Sequence, residues 1–477
     1  MDAGIARHLA AEGRMPALAR VIERGAWSTV ANPPGLVVGS TWPSFWTGLW
    51  PSRHGFYCFQ QAEPHSYKVR RYNPNDIVGR PFWMALDDAG RRVCVVDVPL
   101  VPLTSPSHGL HVIDWGTHDR MLDHATHPGT LAAEIRDGAG DYPLLGRCDH
   151  YAERGDWDGL YATLIEGIER KTNLHLKLLE RGWDLFAGVY AESHCAGHQF
   201  WWAHDPRHPR YREDAGDPLL KVYEALDRAL DRTLEALPED ATLCVLLSHG
   251  IGSHHDADHL LRDILYALDD ALGRASPYVV WRERIARRVL HWRERRVADE
   301  RARARYVDAS RRFVRIPNNE LYGGVRLNIA GREPRGRVQK DEVAGICDWL
   351  ERELLALREP DTGRRIVRRV LKASELYKGD LVDGLPDLLI DWDRTAPITA
   401  VASPTIGEIR GEPHGVRTGD HRPTGFIAVN GPGVEPGAIR SEVRNIDLAP
   451  TFAAMQGVSL GDVDGVAVPA LLGTLQA

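Results

Sequence analysis

"LFAGVYAESHCAGH", residues 185–198, runs an apolar stretch straight into a polar one that carries two histidines four positions apart. Its first half, 185–190, reads as a buried strand because it is short, continuous in apolar residues and free of polar alternation. A long helical stretch, 160–181, and Gly182 precede it. The same order returns downstream, where helical 218–237 leads into the strand TLCVLL (242–247) and then into SHGIGSHH (248–255). Further short apolar runs lie at 92–98 (RVCVVDV), 110–114 (LHVID), 324–329, 388–391 and 426–429. Helices that alternate with buried strands predict an α/β fold, a central and mostly parallel sheet sandwiched by helices. Such sheets place their chemistry just beyond the carboxyl ends of the strands, which is where both histidine-rich segments fall.

The bulk numbers agree with a globular chain. It has 477 residues, 43% apolar and 26% charged, enough for one large core with an insertion. A net charge of −7 argues against general nucleic-acid binding. Six cysteines, Cys58, Cys94, Cys148, Cys195, Cys244 and Cys347, are scattered without a CxxC pair. That spacing suggests neither a disulfide framework nor a zinc ribbon, and a reducing cytoplasm is the expected compartment. No apolar run approaches the roughly 18 residues of a membrane span, and the first residues, MDAGIARHLAAEGR, lack the apolar core of a leader peptide. Helical pieces are expected at 6–12 and 15–24. The Arg-dense stretch 276–306 reads as a helical insertion or cap, so that 1–275 and 307–477 form a single catalytic domain. The sequence assigns no oligomeric state.

Several residues have the chemistry of ligands. His194 and His198 share a side if the chain turns helical after the strand, and Glu192 stands beside them. His249 follows the next strand, with His254 and Asp256 close by, and His421 lies in TGDHR (418–422). Imidazole suits zinc and related ions. Asp114, His118 and Asp119, in IDWGTHD (113–119), follow another strand and are expected to line a substrate pocket. Upstream, STWPSFWTGLWPSRHG (40–55) puts Thr41 where a helix is expected to begin. A hydroxyl there either caps the helix or faces an anion held by free backbone N–H groups, and a metal ion would make it a nucleophile toward phosphorus. The aromatics of this segment, and Phe200, Trp201 and Trp202, read as core first and as stacking surfaces second.

The spaced set Thr41-x-Pro43, Thr47-Gly48, Pro51 and His54-Gly55 resembles the nucleophile segment of the alkaline phosphatase superfamily, in its type I phosphodiesterase/nucleotide pyrophosphatase branch. EGRMPALARVIERGAW (12–27), LNIAGREPRG (327–336), LYKGDLVDGLPDLLID (376–391), GDHRPTGFIAVNGPGV (419–434) and NIDLAPTFAAMQGVSLGDVDG (445–465) resemble further segments of that family in the same order. The resemblance implies an alkaline-phosphatase-like sandwich. It also implies two divalent ions, zinc or alternatively manganese, flanking a hydroxyl nucleophile. Thr41 would be that nucleophile and pass through a phosphothreonine. His198 and His421 would belong to one metal site and His249 to the other. Small phosphodiesters or pyrophosphates would be the substrates.

Three departures from the family pattern carry expectations of their own. The family's first strand, with a metal-binding Asp, would lie before Met1, which predicts a chain assigned too short. His194 stands where the family has Asp, and Ser248 precedes His249-Gly250 where it has Asp-His-Gly. Ser248 is therefore counted as a ligand, and Glu192, His254 and Asp256 as groups able to compensate. The departures also motivate an alternative, a degenerate member of the fold that binds without reacting. A sulfatase-like reading fits less well, because Thr41 cannot become the sulfatase aldehyde and Phe45 stands in for the required Arg.

Overall fold

The computed structural model describes residues 1–118, 120–144, 146–272, 307–319, 321–413 and 415–473. The expected cap at 276–306 and Asp119 lie outside the described residues. The chain forms two compact units. The first comprises Met1–Phe56, Asn73–His254 and Gly415–Ala477, and the second Tyr57–Tyr72 and His255–His414. Segments 1–275 and 307–477, read from the sequence as one domain, each contribute to both.

In the first unit the chain opens with α1 (Ala3–Ala11), α2 (Pro16–Arg24), β1 (Ala26–Ala31) and α3 (Val37–Thr47). Asp2 accepts from the backbone N–H groups of Gly4 and Ile5 and so starts α1. Pro16 opens α2, whose free N–H groups at Ala17 and Leu18 are taken by the Asp227 carboxylate at 3.0 and 2.8 Å, a favourable charge at a helix N-terminus. There follow β2 (Val93–Val96), β3 (Gly109–Ile113), β4 (Ala125–His127), α4 (Trp157–Leu179), β5 (Leu185–Gly188), α5 (Glu192–His204), α6 (Pro218–Ala236), β6 (Leu243–Leu247) and β7 (Gly250–Ser253). After the second unit come β8 (Gly419–Arg422) and β9 (Thr424–Asn430). The helices and strands expected at 15–24, 160–181, 185–190, 218–237, 242–247 and 426–429 are all present with small shifts at their ends.

Strand pairing combines both directions. β2 pairs parallel with β3 and with β5, and β3 pairs antiparallel with β4. β9 runs antiparallel between β1 and β6, with Phe426 opposite Thr29 on one side and Leu247 on the other. These two groups of strands share the same pair of cores. Val93, Val95, Ile427 and Val429 enter one; Cys94, Val96, Phe426 and Ala428 enter the other. Burial on both faces is why these strands read as continuous apolar runs. Among the described strands, β5 pairs with β2 alone and β6 with β9 alone. Their residues are mostly half-buried, whereas β2 is wholly buried.

The second unit is built on a four-stranded antiparallel sheet in the order Phe313–Ile316, Tyr322–Leu327, Leu388–Trp392, Val367–Lys372. Helices Asp258–Ala271 and Val343–Leu355 supply its core through Leu261, Ile264, Leu350 and Leu354. No described helix is long and apolar enough to cross a membrane.

Candidate metal centre

The carboxyl ends of β5 and β6 lead directly into the histidines. α5 begins at Glu192, so the chain does turn helical after the strand, and the four-residue spacing puts His194 and His198 on one face. Their ring centroids are 4.5 Å apart. β6 ends at Leu247; Ser248 and His249 follow, and the chain enters β7. β7 pairs antiparallel with β8 in a register that sets His421 opposite Ile251. That register brings the His421 ring to 4.4 Å from His249 and 4.6 Å from His198, centroid to centroid.

Three ring nitrogens converge. His194 Nε2 lies 2.9 Å from His421 Nε2 and 3.3 Å from His198 Nε2. The other nitrogens of the outer two rings are pinned. His198 Nδ1 donates to the Gly419 carbonyl at 2.7 Å, and His421 Nδ1 donates to Asp420 at 3.0 Å. Donation at Nδ1 leaves the Nε2 lone pair as the free ligand atom, the usual support for a metal-binding imidazole. His249 is fixed in the same way, through its Nδ1 and the Gly250 carbonyl at 2.9 Å. Burial holds His194, His198, His249 and His421 below the ordinary imidazole range, and the neighbouring rings push in the same direction. Burial opposes ionisation of Asp420, yet its hydrogen bond to His421 and the nearby imidazoles keep its carboxyl far below the usual range. Both directions favour neutral rings beside a charged carboxylate.

This donor set fits a divalent cation. Two lone pairs face the His194 Nε2, which can offer a proton to one of them at most. Its Nδ1 is buried with no hydrogen-bond partner among the described residues. A tetrahedral ion with bonds of about 2.0–2.1 Å would hold its nitrogen ligands about 3.3–3.4 Å apart, close to the separations found. Neutral imidazoles with a carboxylate behind one of them suit zinc and its neighbours in the transition series.

Thr41 is not a helix cap. α3 begins at Val37 with Leu36 in the capping position, so Thr41 sits in the second turn. The run from Leu36 to Gly39 lacks the polar signature of a helix start, which is why the sequence points to a cap five residues too late. Thr41 is 1% exposed. Its hydroxyl lies 2.6 Å from the Val37 carbonyl and 3.0 Å from Asn32 Oδ1. The Asn32 amide donates to the carbonyls of Ser248 (2.8 Å) and Pro423 (2.9 Å). Two carbonyl acceptors determine which way the amide faces, and they tie Thr41 to the residue before His249 and to the second residue after His421.

The remaining candidates divide. His118 joins the edge of the cluster, 4.3 Å from His194 by ring centroids. Glu192, expected among the ligands, is engaged elsewhere: its carboxylate accepts from Tyr142 at 2.5 Å and faces Lys171 at 3.5 Å. Lys171 is fully buried, with Asp97 at 3.8 Å, and donates to the carbonyls of Gly116 (2.7 Å) and Val189 (3.0 Å). It thereby joins the segments that follow β3 and β5. Burial pushes Asp97 up to about 6 against the pull of Lys171. Asp114 organises its own loop, accepting from Thr117 at 2.6 Å and Leu122 at 2.8 Å. His254 meets the Arg417 carbonyl at 3.3 Å. Asp256 belongs to the second unit, where it accepts from the Asp258 N–H at 2.8 Å. Phe200, Trp201 and Trp202 are buried core. Phe45, at the position a sulfatase gives to Arg, packs edge-on against Trp42 and Phe82.

Asn32, Asp420 and Lys171 were not singled out from the sequence. Asp420 carries a readable signal, a carboxylate directly before a ligand-type histidine. Asn32 and Lys171 carry none, since a turn asparagine and a helical lysine are ordinarily solvated.

Residues 3–418 match the family described as Type I phosphodiesterase / nucleotide pyrophosphatase. Among solved structures, the fold is similar to phosphonoacetate hydrolase from Sinorhizobium meliloti in complex with phosphonoformate, with a TM-score of 0.50 and 16% identity over 93% of this chain and 90% of that one. Murine ectonucleotide pyrophosphatase / phosphodiesterase 5 gives a TM-score of 0.49 and 13% identity over 94% and 92%. At 16% identity the likeness to the hydrolase is one of fold. Among curated proteins, none matches the chain in sequence.

Proposed function

The chain belongs to the type I phosphodiesterase / nucleotide pyrophosphatase family, and from that premise we propose that it hydrolyses phosphodiester or pyrophosphate bonds of small phosphorylated molecules with Thr41 as nucleophile. The observation that carries this reading is the convergence of the His198 and His421 Nε2 atoms within 3.3 Å of His194 Nε2, beside backbone segments that Asn32 ties to a buried threonine hydroxyl. His194, His198 and His421 would hold one divalent cation of zinc type, and His249 with the Ser248 hydroxyl would serve a second. When bound, such cations supply Lewis acidity, drawing charge from phosphoryl oxygens and favouring ionisation of a nearby hydroxyl.

The chain's own residues do the rest. Asn32 orients the Thr41 hydroxyl. Thr41 Oγ1 attacks phosphorus in line; the new P–O bond forms as the bond to the leaving oxygen breaks, and the threonine proton is passed on to the departing group. Water then cleaves the phosphothreonine and returns the hydroxyl. The neutral imidazoles keep their lone pairs directed inward throughout, and Asp420 holds His421 in the required tautomer.

The test is turnover of an aryl phosphodiester by the full chain, with and without Thr41→Ala, before and after chelation. Loss of turnover in Thr41→Ala with metal content unchanged is the expected result. Equal turnover in both proteins rejects Thr41 as nucleophile, and undiminished turnover after exhaustive chelation rejects the metal.

A further inference from the structure

We propose that Cys148, Cys195 and His118, together with His194, form a thiolate–imidazole site that adjoins the trihistidine cluster through His194 and takes a thiophilic cation, Zn²⁺ in the first instance. His118 Nδ1 lies 3.1 Å from Cys195 Sγ and 3.8 Å from Cys148 Sγ, so one imidazole nitrogen faces both thiols. The ligand atoms of His118, His194 and Cys195 all lie within 4.8 Å of each other. Zinc bonds of about 2.3 Å to sulfur and 2.0–2.1 Å to nitrogen set a sulfur–nitrogen separation of about 3.5 Å, which the two distances bracket. Both cysteines are buried, at 0% and 1% exposure, and His194 Nδ1 is a buried nitrogen with no hydrogen-bond partner among the described residues. Gln199 Nε2 points its N–H at Cys148 Sγ from 3.6 Å, an outer-shell donor of the sort that supports a thiolate.

The four side chains come from three places: the segment after β3, the residue before helix Asp149–Arg154, and the first turn of α5. Two sulfurs and two imidazoles make a closed set with no open position, the pattern of a structural zinc site. Each thiol releases one proton to solvent as its sulfur–metal bond forms, and His194 gives up its remaining ring proton when both of its nitrogens hold a cation. Filling this site would clamp α5 to the two other segments. His194 belongs to both histidine groups, so the clamp also sets the orientation of one member of the trihistidine cluster. None of this depends on the hydrolysis proposed above.

The experiment titrates Co²⁺ into the reduced, metal-stripped full chain and records the absorption spectrum. A saturating near-ultraviolet sulfur-to-cobalt charge-transfer band is expected, bleached by Zn²⁺. Cys148→Ser and Cys195→Ser should each abolish it while visible cobalt bands from the histidine cluster persist. Should those variants fail to fold, Cys58→Ser, Cys94→Ser, Cys244→Ser and Cys347→Ser assign the band by leaving it unchanged. A wild-type spectrum without the charge-transfer band overturns the proposal. So does a Cys148–Cys195 disulfide in the intact mass of freshly purified protein whose other thiols are free.

Discussion

Thr41 Oγ1 lies 3.0 Å from Asn32 Oδ1, and the amide on the other side of Asn32 is spent on the carbonyls of Ser248 and Pro423. One side chain therefore links the threonine on α3 to both backbone segments that deliver His249 and His421. The hydroxyl's direction is shared between the Val37 carbonyl of its own helix, at 2.6 Å, and Asn32, which segments far away in sequence hold in place.

Asn32→Ala should lower kcat for an aryl phosphodiester by about 10- to 100-fold, because a nucleophile held slightly off line loses that much. Bound metal, measured by elemental analysis, should not change. A variant with wild-type kcat would show that the amide has no part in aiming Thr41.

Thr41→Ser keeps a hydroxyl and should keep measurable turnover, whereas Thr41→Ala should lose about a thousandfold or more, as removal of a nucleophile does elsewhere. The contrast between the two is the readout. Two variants of equal activity would speak for another nucleophile.

Asp420 accepts from His421 Nδ1 at 3.0 Å. Asp420→Ala should weaken zinc binding at the trihistidine cluster by about 10- to 100-fold, the usual cost of losing a carboxylate behind a metal-binding imidazole. Competition with a chromophoric chelator measures it. Unchanged affinity would mean that His421 is not a ligand.

Lys171 is the buried cation between Asp97 and Glu192. Lys171→Met should destabilise the protein by about 3–5 kcal/mol, because it strands buried carboxylates without their partner. Urea unfolding followed by tryptophan fluorescence gives the value. A loss below 1 kcal/mol, about the worth of an exposed pair, would contradict the network.

Stability should fall as the solution is acidified below about pH 6.5, the ordinary imidazole value. Burial lowers His54 to about 3, His111 to about 4 and His175 to about 3. Between those values and the unfolded one, the unfolded chain binds more protons, so the free energy of unfolding rises with pH. The contribution is complete above the unfolded pKa and is lost as pH drops toward the folded ones. Urea midpoints across that interval measure the slope, and a flat profile would show that these rings are not buried neutral.

The fold was legible in its strands. 92–98, 185–190, 242–247 and 426–429 stand out because a strand covered on both faces has no polar alternation to hide it. The candidate site was legible in residue types: histidines in the segments that follow two apolar strands, another in TGDHR, and a threonine ahead of a proline. The start of α3 was not, because its first turn is apolar and offers no capping side chain. Glu192 was misjudged for a related reason. A carboxylate two residues before a histidine looks like a ligand, and nothing in the chain announces that Tyr142 and Lys171 will claim it.

The sequence by itself determined which segments become buried strands and which atoms can bind a cation, since both follow from local apolarity and side-chain chemistry. Tertiary structure alone decided which of those atoms meet. His194 and His421 are 227 positions apart and come to 2.9 Å because β7 pairs with β8 in one register; a shift of a single residue would turn His421 to the opposite face. The same applies to Cys148, Cys195 and His118. Contact between distant residues is settled by backbone pairing and helix packing, which minimise unpaired N–H and C=O groups over the whole fold, and no window of the chain contains that information.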